Sequence, residues 1–226
     1  MVSTVRKALL EILFPQRCPM CGKYSDRICD ACMKTLPRTE QALLRANSTE
    51  DALAGVPHLE RGAAYMFYEK EHPIQQVVHK MKYADKPLIG YQLGKQAAME
   101  FLCTDFFEGI EVIVPVPLHK NRLRSRGYNQ SEYIARGISE VTGIPVDTTH
   151  VTREKDTLQQ ALQSGDDRKN NVADAFAVNH PEQLYRKQIL LVDDLITTGE
   201  TAKACLRGMR PIRGATFSVF ALCKAR

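Results

Sequence analysis

The run Ile189-Leu190-Leu191-Val192-Asp193-Asp194 constrains this chain more than any other stretch. Four large aliphatic residues in succession leave no polar face. They suit a strand buried on both sides, as in a parallel sheet covered by helices. The run is expected to stop at the paired carboxylates, where open α/β sheets place their ligand crevice. A Thr197-Thr198-Gly199 turn follows, and a helix is expected from Thr201 to Met209. Backbone N–H groups of such a turn, with a helix N-terminus behind it, cradle phosphate. Gly199 carries no Cβ to obstruct the anion. Asp193 and Asp194 can accept hydrogen bonds from a ribose diol, close to a bound magnesium ion. The pattern suits a ribose 5-phosphate.

A helix cap alone would occupy one of these polar residues, hardly all of them. The stretch closely resembles the phosphoribosyl-diphosphate (PRPP) motif of type I phosphoribosyltransferases. It departs from that motif at Glu200, where a small residue is usual. A carboxylate beside phosphate is repulsive unless it points away.

The seven cysteines divide into two kinds. Cys18, Cys21, Cys29 and Cys32 form C-x2-C-x7-C-x2-C, and paired knuckles within 15 residues match a tetrahedral thiolate zinc site. The competing readings are a disulfide pair and a redox motif. No secretion signal is recognisable, which favours reduced thiols and a cytoplasmic location, and a redox motif would not need two knuckles. Cys103, Cys205 and Cys223 lie among apolar residues and are expected to behave as small core hydrophobes.

At 226 residues there is room for one ordinary α/β domain and a small appendage. A hydrophobic content of 44% and a charged content of 25% are average, so disorder is not indicated. No apolar stretch approaches the roughly 20 residues needed to span a bilayer, so membrane insertion is not expected. Arg6 and Lys7 precede Ala8-Leu9-Leu10, but Glu11 ends that run too soon for a signal peptide. Val5, Leu9, Ile12 and Leu13 fall at helical spacing before Pro15, as a docking helix would.

Charge is uneven. Residues 1–38 carry seven Lys or Arg against three acids, which is +4 of the net +5. A small basic zinc module can touch nucleic acid, so single-stranded DNA is a candidate partner, although a charged surface is also ordinary for so small a unit. Further along, residues 40–57 read as a polar linker or a loosely packed segment. Strands are expected near Gly62–Tyr68, Val112–Val114, Ile144–Val146, Ala175–Val178, Ile189–Val192 and Thr216–Leu222. Helices are expected around Ile74–Met81, Ile89–Phe101 and Tyr133–Val141. This alternation implies a mainly parallel sheet.

The segment from Val114 to Gln130 also leaves a buried strand and holds Lys120, Arg122, Arg124 and Arg126. Four cations in seven residues suit an anion site, and arginine clamps phosphate through two N–H groups at once. The polar stretch from Arg153 to Asn171 reads as a long loop, a candidate lid excluding water during glycosyl transfer.

The cysteine knuckles, Val114-Pro115-Val116-Pro117-Leu118-His119 with Arg126-Gly127-Tyr128-Asn129-Gln130, Thr157-x-x-Gln160 with Arg168-x-x-Asn171, and the PRPP motif stand in an order that resembles the ComF family. That resemblance implies a type I phosphoribosyltransferase-like α/β domain over residues 58–226 and a zinc-ribbon module over residues 1–50. It also implies a link to DNA uptake in natural transformation, with other DNA-uptake proteins as candidate partners. Carried over residue by residue, Asp193 and Asp194 would hold ribose hydroxyls, and Thr197, Thr198, Gly199 and Thr201 the 5-phosphate. Arg122 and Arg126 would lie in the pyrophosphate-loop region, with magnesium accompanying PRPP. Three readings remain open: a phosphoribosyl transfer enzyme, a PRPP-binding or DNA-handling module without an acceptor, and a structural adaptor docking through its zinc module.

Overall fold

A computed structural model describes residues 16–154 and 175–226. The expected docking helix over Val5–Leu13 and nearly all of the candidate lid lie outside the described residues.

Four strands make the main sheet: β1 (Leu59–Tyr68), β2 (Val112–Pro115), β5 (Gln188–Ile196) and β6 (Thr216–Ala225). All pairings are parallel, in the order β1-β6-β5-β2. Ile189, Leu190, Leu191 and Val192 are fully buried, as an all-apolar run on a central strand must be. Two sequence expectations change here. Phe176–Val178 (β4) pairs antiparallel with Val151–Arg153 (β3), outside the main sheet. Near Val146 there is one parallel bridge to Ile113 rather than a strand.

Helices cover both faces. On one lie α3 (Ile74–Tyr83), α4 (Leu88–Phe101) and α6 (Gln130–Thr142), whose Val77, Met81, Leu93 and Ile134 pack with Leu190 and Val192. On the other lies α7 (Glu200–Gly208), whose Ala202, Cys205 and Leu206 pack with Ile189, Leu191 and Val219. Two of these helices approach closely because glycines face each other's backbone. A Cβ on Gly94 would sit 2.3 Å from the Ile134 carbonyl oxygen, and one on Gly137 2.2 Å from that of Tyr91. The helix after β2 and the helix after β5 therefore lie on opposite faces. That arrangement opens a crevice at the carboxyl ends of the two strands.

The expected linker over residues 40–57 is instead fitted onto β1. Asn47 caps the short α2 (Ser48–Ala52) by accepting from the Thr49 and Glu50 amides. Its Nδ2 donates to the Gly62 carbonyl at 2.8 Å. Gln41 Oε1 accepts from the Ala64 amide at 3.0 Å and from the Thr49 hydroxyl at 2.6 Å. These polar side chains show no periodicity because their partners are the backbone groups beside an edge strand.

Ile28 and Leu36 of the cysteine module are buried in the same cluster as Tyr65, Val78 and Phe101. Gln92 of α4 grips the Ile28 backbone twice, accepting at 2.9 Å and donating at 3.0 Å. Cys205 and Cys223 are buried as expected, whereas Cys103 is exposed in the turn after α4. No described helix is long and apolar enough to cross a membrane.

Candidate functional site

The crevice begins where β2 leaves the sheet. The Val116 amide still donates to the Val192 carbonyl at 2.9 Å, and beyond that point β5 runs on beside β6 alone, as far as Ile196 opposite Lys224. The strand therefore passes through both carboxylates rather than stopping at them. Pairing with β6 continues after pairing with β2 has ended.

Both carboxylates are nearly enclosed, Asp193 at 7% exposure and Asp194 at 4%. Adjacent strand residues face opposite ways, and each carboxylate finds its own partners. Lys82 of α3 brings its Nζ to 3.0 Å from Asp194 Oδ2. Asp193 Oδ1 accepts from the Ser131 hydroxyl at 3.3 Å and the Asp194 amide at 2.8 Å. Burial first, then the neighbouring Asp194 charge, push the Asp193 carboxyl up to about 7. Two acids on adjacent buried residues resist ionising together. Carboxyl groups perturbed in this way cluster at functional sites.

Thr197 and Thr198 are exposed beyond β5, and Thr201 is exposed in the first turn of α7. The turn is fastened from beneath by Lys224, whose Nζ donates to the Thr197 carbonyl at 3.0 Å. Gly199 has φ of +80°, and a Cβ there would lie 2.4 Å from the Ala52 carbonyl oxygen. The glycine thus has a structural duty, seating α2 against the turn, besides any role toward an anion. Glu200 is exposed, with its Oε1 3.7 Å from Lys203 Nζ.

The cationic segment expected as a loop is a helix, α5 (Lys120–Arg126), capped by His119 Nδ1 and ended by Gly127 at φ of +81°. Helical spacing places Arg122 and Arg126 on one side, where they line a cavity of about 570 Å³ with Lys82, Tyr83, Asp85 and Tyr128. The Arg126 guanidinium lies 5.0 Å from the Tyr83 ring centre and hydrogen-bonds Gln130. Tyr128 anchors the floor by donating to the Met81 carbonyl at 2.5 Å. Lys82 joins this cavity to Asp194, so the two predicted clusters meet through a residue that sequence reasoning missed. Ser131 and Lys224 were missed too. Each acts across the fold, where no local pattern marks it.

The four knuckle cysteines converge, with all Sγ atoms within 4.8 Å of one another. Cys21 and Cys29 Sγ stand 3.7 Å apart, close to the edge of a tetrahedron built on zinc–sulfur bonds of about 2.3 Å. The first knuckle is shaped by Cys18 N–H donating to the Lys23 carbonyl at 2.8 Å and by Gly22 at φ of +73°. Burial works to raise the Cys18 thiol, but the amides of Cys21, Cys29 and Met20 outweigh it and bring it down to about 6. The donor set and its spacing fit structural zinc.

Residues 9–43 match a family described as a double zinc ribbon domain. Competence protein F of Haemophilus influenzae is 38% identical over 117 residues, which is 51% of each chain. DNA utilization protein YhgH of Salmonella typhimurium is 30% identical over 155 residues, covering 67% of each chain. The chain belongs to the ComF family. Among solved structures, a glutamine PRPP amidotransferase from B. subtilis complexed with ADP and GMP overlaps this ComF chain with a TM-score of 0.42. That overlap has 17% identity and covers 63% of this chain and 30% of the other. In this ComF chain the expected architecture is present: a parallel sheet flanked by helices, with a four-cysteine zinc ribbon at its N-terminal side.

Proposed function

We propose that this chain binds PRPP with magnesium in the crevice between β2 and β5. The observation that carries the reading is the pair of enclosed carboxylates near the end of β5, followed two residues later by a Thr-Thr-Gly turn, its threonines exposed, that opens α7. Asp193 and Asp194 accept from the ribose hydroxyls. The free amides of Thr197 to Thr201 receive the 5-phosphate, as unpaired N–H groups at a helix start do. Lys82, Arg122 and Arg126 face the diphosphate, the group that would leave if phosphoribose is transferred. Magnesium, when it accompanies PRPP, neutralises diphosphate charge and steadies that leaving group. The Lys82–Asp194 pair holds one carboxylate in position before ligand arrives. Transfer to an acceptor is part of the proposal, with the acceptor group entering beside Tyr83 and Tyr128. The printed names of the relatives, a competence protein and a DNA utilization protein, support a role in the uptake or use of DNA.

Thermal melting with PRPP and magnesium tests the binding step. Saturation to about 100 times the dissociation constant stabilises the folded state by about 2.7 kcal/mol. Asp193→Asn with Asp194→Asn is expected to erase that shift, since amides hold neither the diol nor the cation as strongly. A shift that survives in the double variant removes the site assignment. Release of pyrophosphate with candidate bases then tests transfer.

A second reading is contact with single-stranded DNA through exposed cations, which stand both on α5 (Lys120 and Arg124) and on the zinc module (Arg17, Lys23, Arg27 and Lys34). Arg38 of the module is instead tied to Glu100 through Nε at 3.1 Å and Nη2 at 2.8 Å.

A further inference from the structure

A second groove, of about 580 Å³, runs along the outer side of α7, between that helix and the segment from Ala54 to His58. Its floor is apolar: Leu206, Met209 and Phe217 are buried beneath it. Its rim is cationic. Lys203 and Arg207 follow at i and i+4 on one face of α7, and Arg210 and Arg213 continue the line in the turns between the end of α7 at Gly208 and β6. Glu200 is the single acid among the lining residues, and it faces Lys203. Arg207, Arg210 and Arg213 make no ion pair with a described carboxylate, and Arg207 Nε is buried without a hydrogen-bond partner among the described residues.

Three guanidinium groups without counter-charges lining one groove repel one another, and a buried guanidinium nitrogen left unpaired costs desolvation. A folded chain keeps such an arrangement where an anion supplies the missing acceptors, and the planar fork of arginine matches phosphate in particular. The volume lies within the range of small-molecule sites, and an apolar floor with a few convergent polar groups is their usual make-up. We propose that this groove is a second anion site that takes a nucleoside monophosphate. The base lies against Val56 and Pro57 over the apolar floor, and the phosphate is held by Arg207, Arg210 and Arg213. This site is separate from the crevice: of the residues assigned to PRPP it shares only Glu200, whose backbone amide belongs to the phosphate turn and whose side chain pairs with Lys203 on the groove.

The test is calorimetric titration of the zinc-loaded full chain with AMP and, separately, with inorganic phosphate. Two variants accompany it. Arg210→Gln with Arg213→Gln removes two exposed cations of the groove. Thr198→Glu places a carboxylate on the phosphate turn. Melting curves confirm that both variants fold. AMP is expected to bind the parent protein and the Thr198→Glu variant alike. The arginine variant should bind about ten-fold more weakly or worse, since charged hydrogen bonds to phosphate are lost. Loss of AMP binding in Thr198→Glu with retention in the arginine variant overturns the proposal, because the turn is then the site. Absence of AMP binding overturns it as well, as does an acidic peptide that binds the groove more tightly than AMP. Equal affinity for inorganic phosphate and AMP removes the role given to the apolar floor. These arms read the groove whether or not PRPP stabilises the protein, so failure of one proposal is distinguishable from failure of the other.

Discussion

The zinc ribbon and the carboxylate crevice both lean on α3. Lys80 of that helix donates to the Pro19 carbonyl at 2.9 Å, and Lys82, two residues on, meets Asp194 at 3.0 Å. The ribbon contributes stability. Its metal ligands close a short loop, and Ile28 and Leu36 extend the core shared with α4. Its charge is also put to structural use. Arg38 makes a forked pair with Glu100 and lies 4.7 Å from the Tyr65 ring centre, while the Tyr65 hydroxyl donates to Glu100 at 2.8 Å. The crevice does the reverse. It buries two adjacent carboxylates that water would solvate better, and it leaves the turn beyond them exposed. Groups arranged against stability are where a protein keeps its capacity to bind.

The largest effect expected on this contrast comes from the ribbon. Cys29→Ser should release zinc and undock the module, exposing Ile28 and Leu36 with a loss of about 3–6 kcal/mol of burial. In a chain of this size that lowers Tm by roughly 10 °C. Metal analysis and calorimetry check it together. An unchanged Tm in zinc-free protein would break the comparison, since the ribbon would then contribute nothing to the core.

The next effect is expected at the seam between α2 and the phosphate turn. Gly199→Ala forces a side chain into a left-handed backbone against the Ala52 carbonyl, and should cost about 2 kcal/mol or more. Denaturant unfolding measures it. A stable variant that has lost its response to PRPP would assign the glycine to the anion instead of to α2.

The last effect, and the one with opposite sign, is expected at Asp193. Its folded value of about 7 lies above the ordinary 3.8, so the folded state holds a proton that the unfolded state releases. Stability conferred by the protonated form is complete below 3.8, declines as pH rises, and is gone above about 7. Asp193→Asn should therefore melt higher than the parent at about pH 8, with the advantage vanishing in acid. Melting across pH sharpens the comparison. An Asn variant less stable at high pH would place Asp193 among the groups that support the fold.

Much of this was legible from local pattern. The apolar run of β5, the i, i+3, i+4, i+7 spacing of Ile74, Val77, Val78 and Met81, and the paired knuckles each repeat with the geometry they adopt. Where the reading erred, a long-range partner had decided the outcome. Residues 40–57 looked like a linker because Gln41, Asn47 and Thr49 are polar, yet they are buried through bonds to the backbone of β1 and its flank. The cationic segment looked like a loop, but the His119 cap and Gly127 stop bound a helix that turns Arg122 and Arg126 to one side. Strand β5 outlasts its carboxylates because β6 keeps pairing after β2 departs.

What the sequence determined by itself was the class of sheet, the metal ligands and the position of the acidic pair just behind a buried apolar run. Each depends on residues near one another in the chain, so chemistry and spacing suffice. Only the tertiary structure decided that Lys82 meets Asp194, that Ser131 meets Asp193, that Lys224 holds the turn and that Ala52 requires Gly199. Those contacts join segments far apart in sequence. Their energies come from burial and charge in a shared pocket, which exists only after the helices have settled on the sheet.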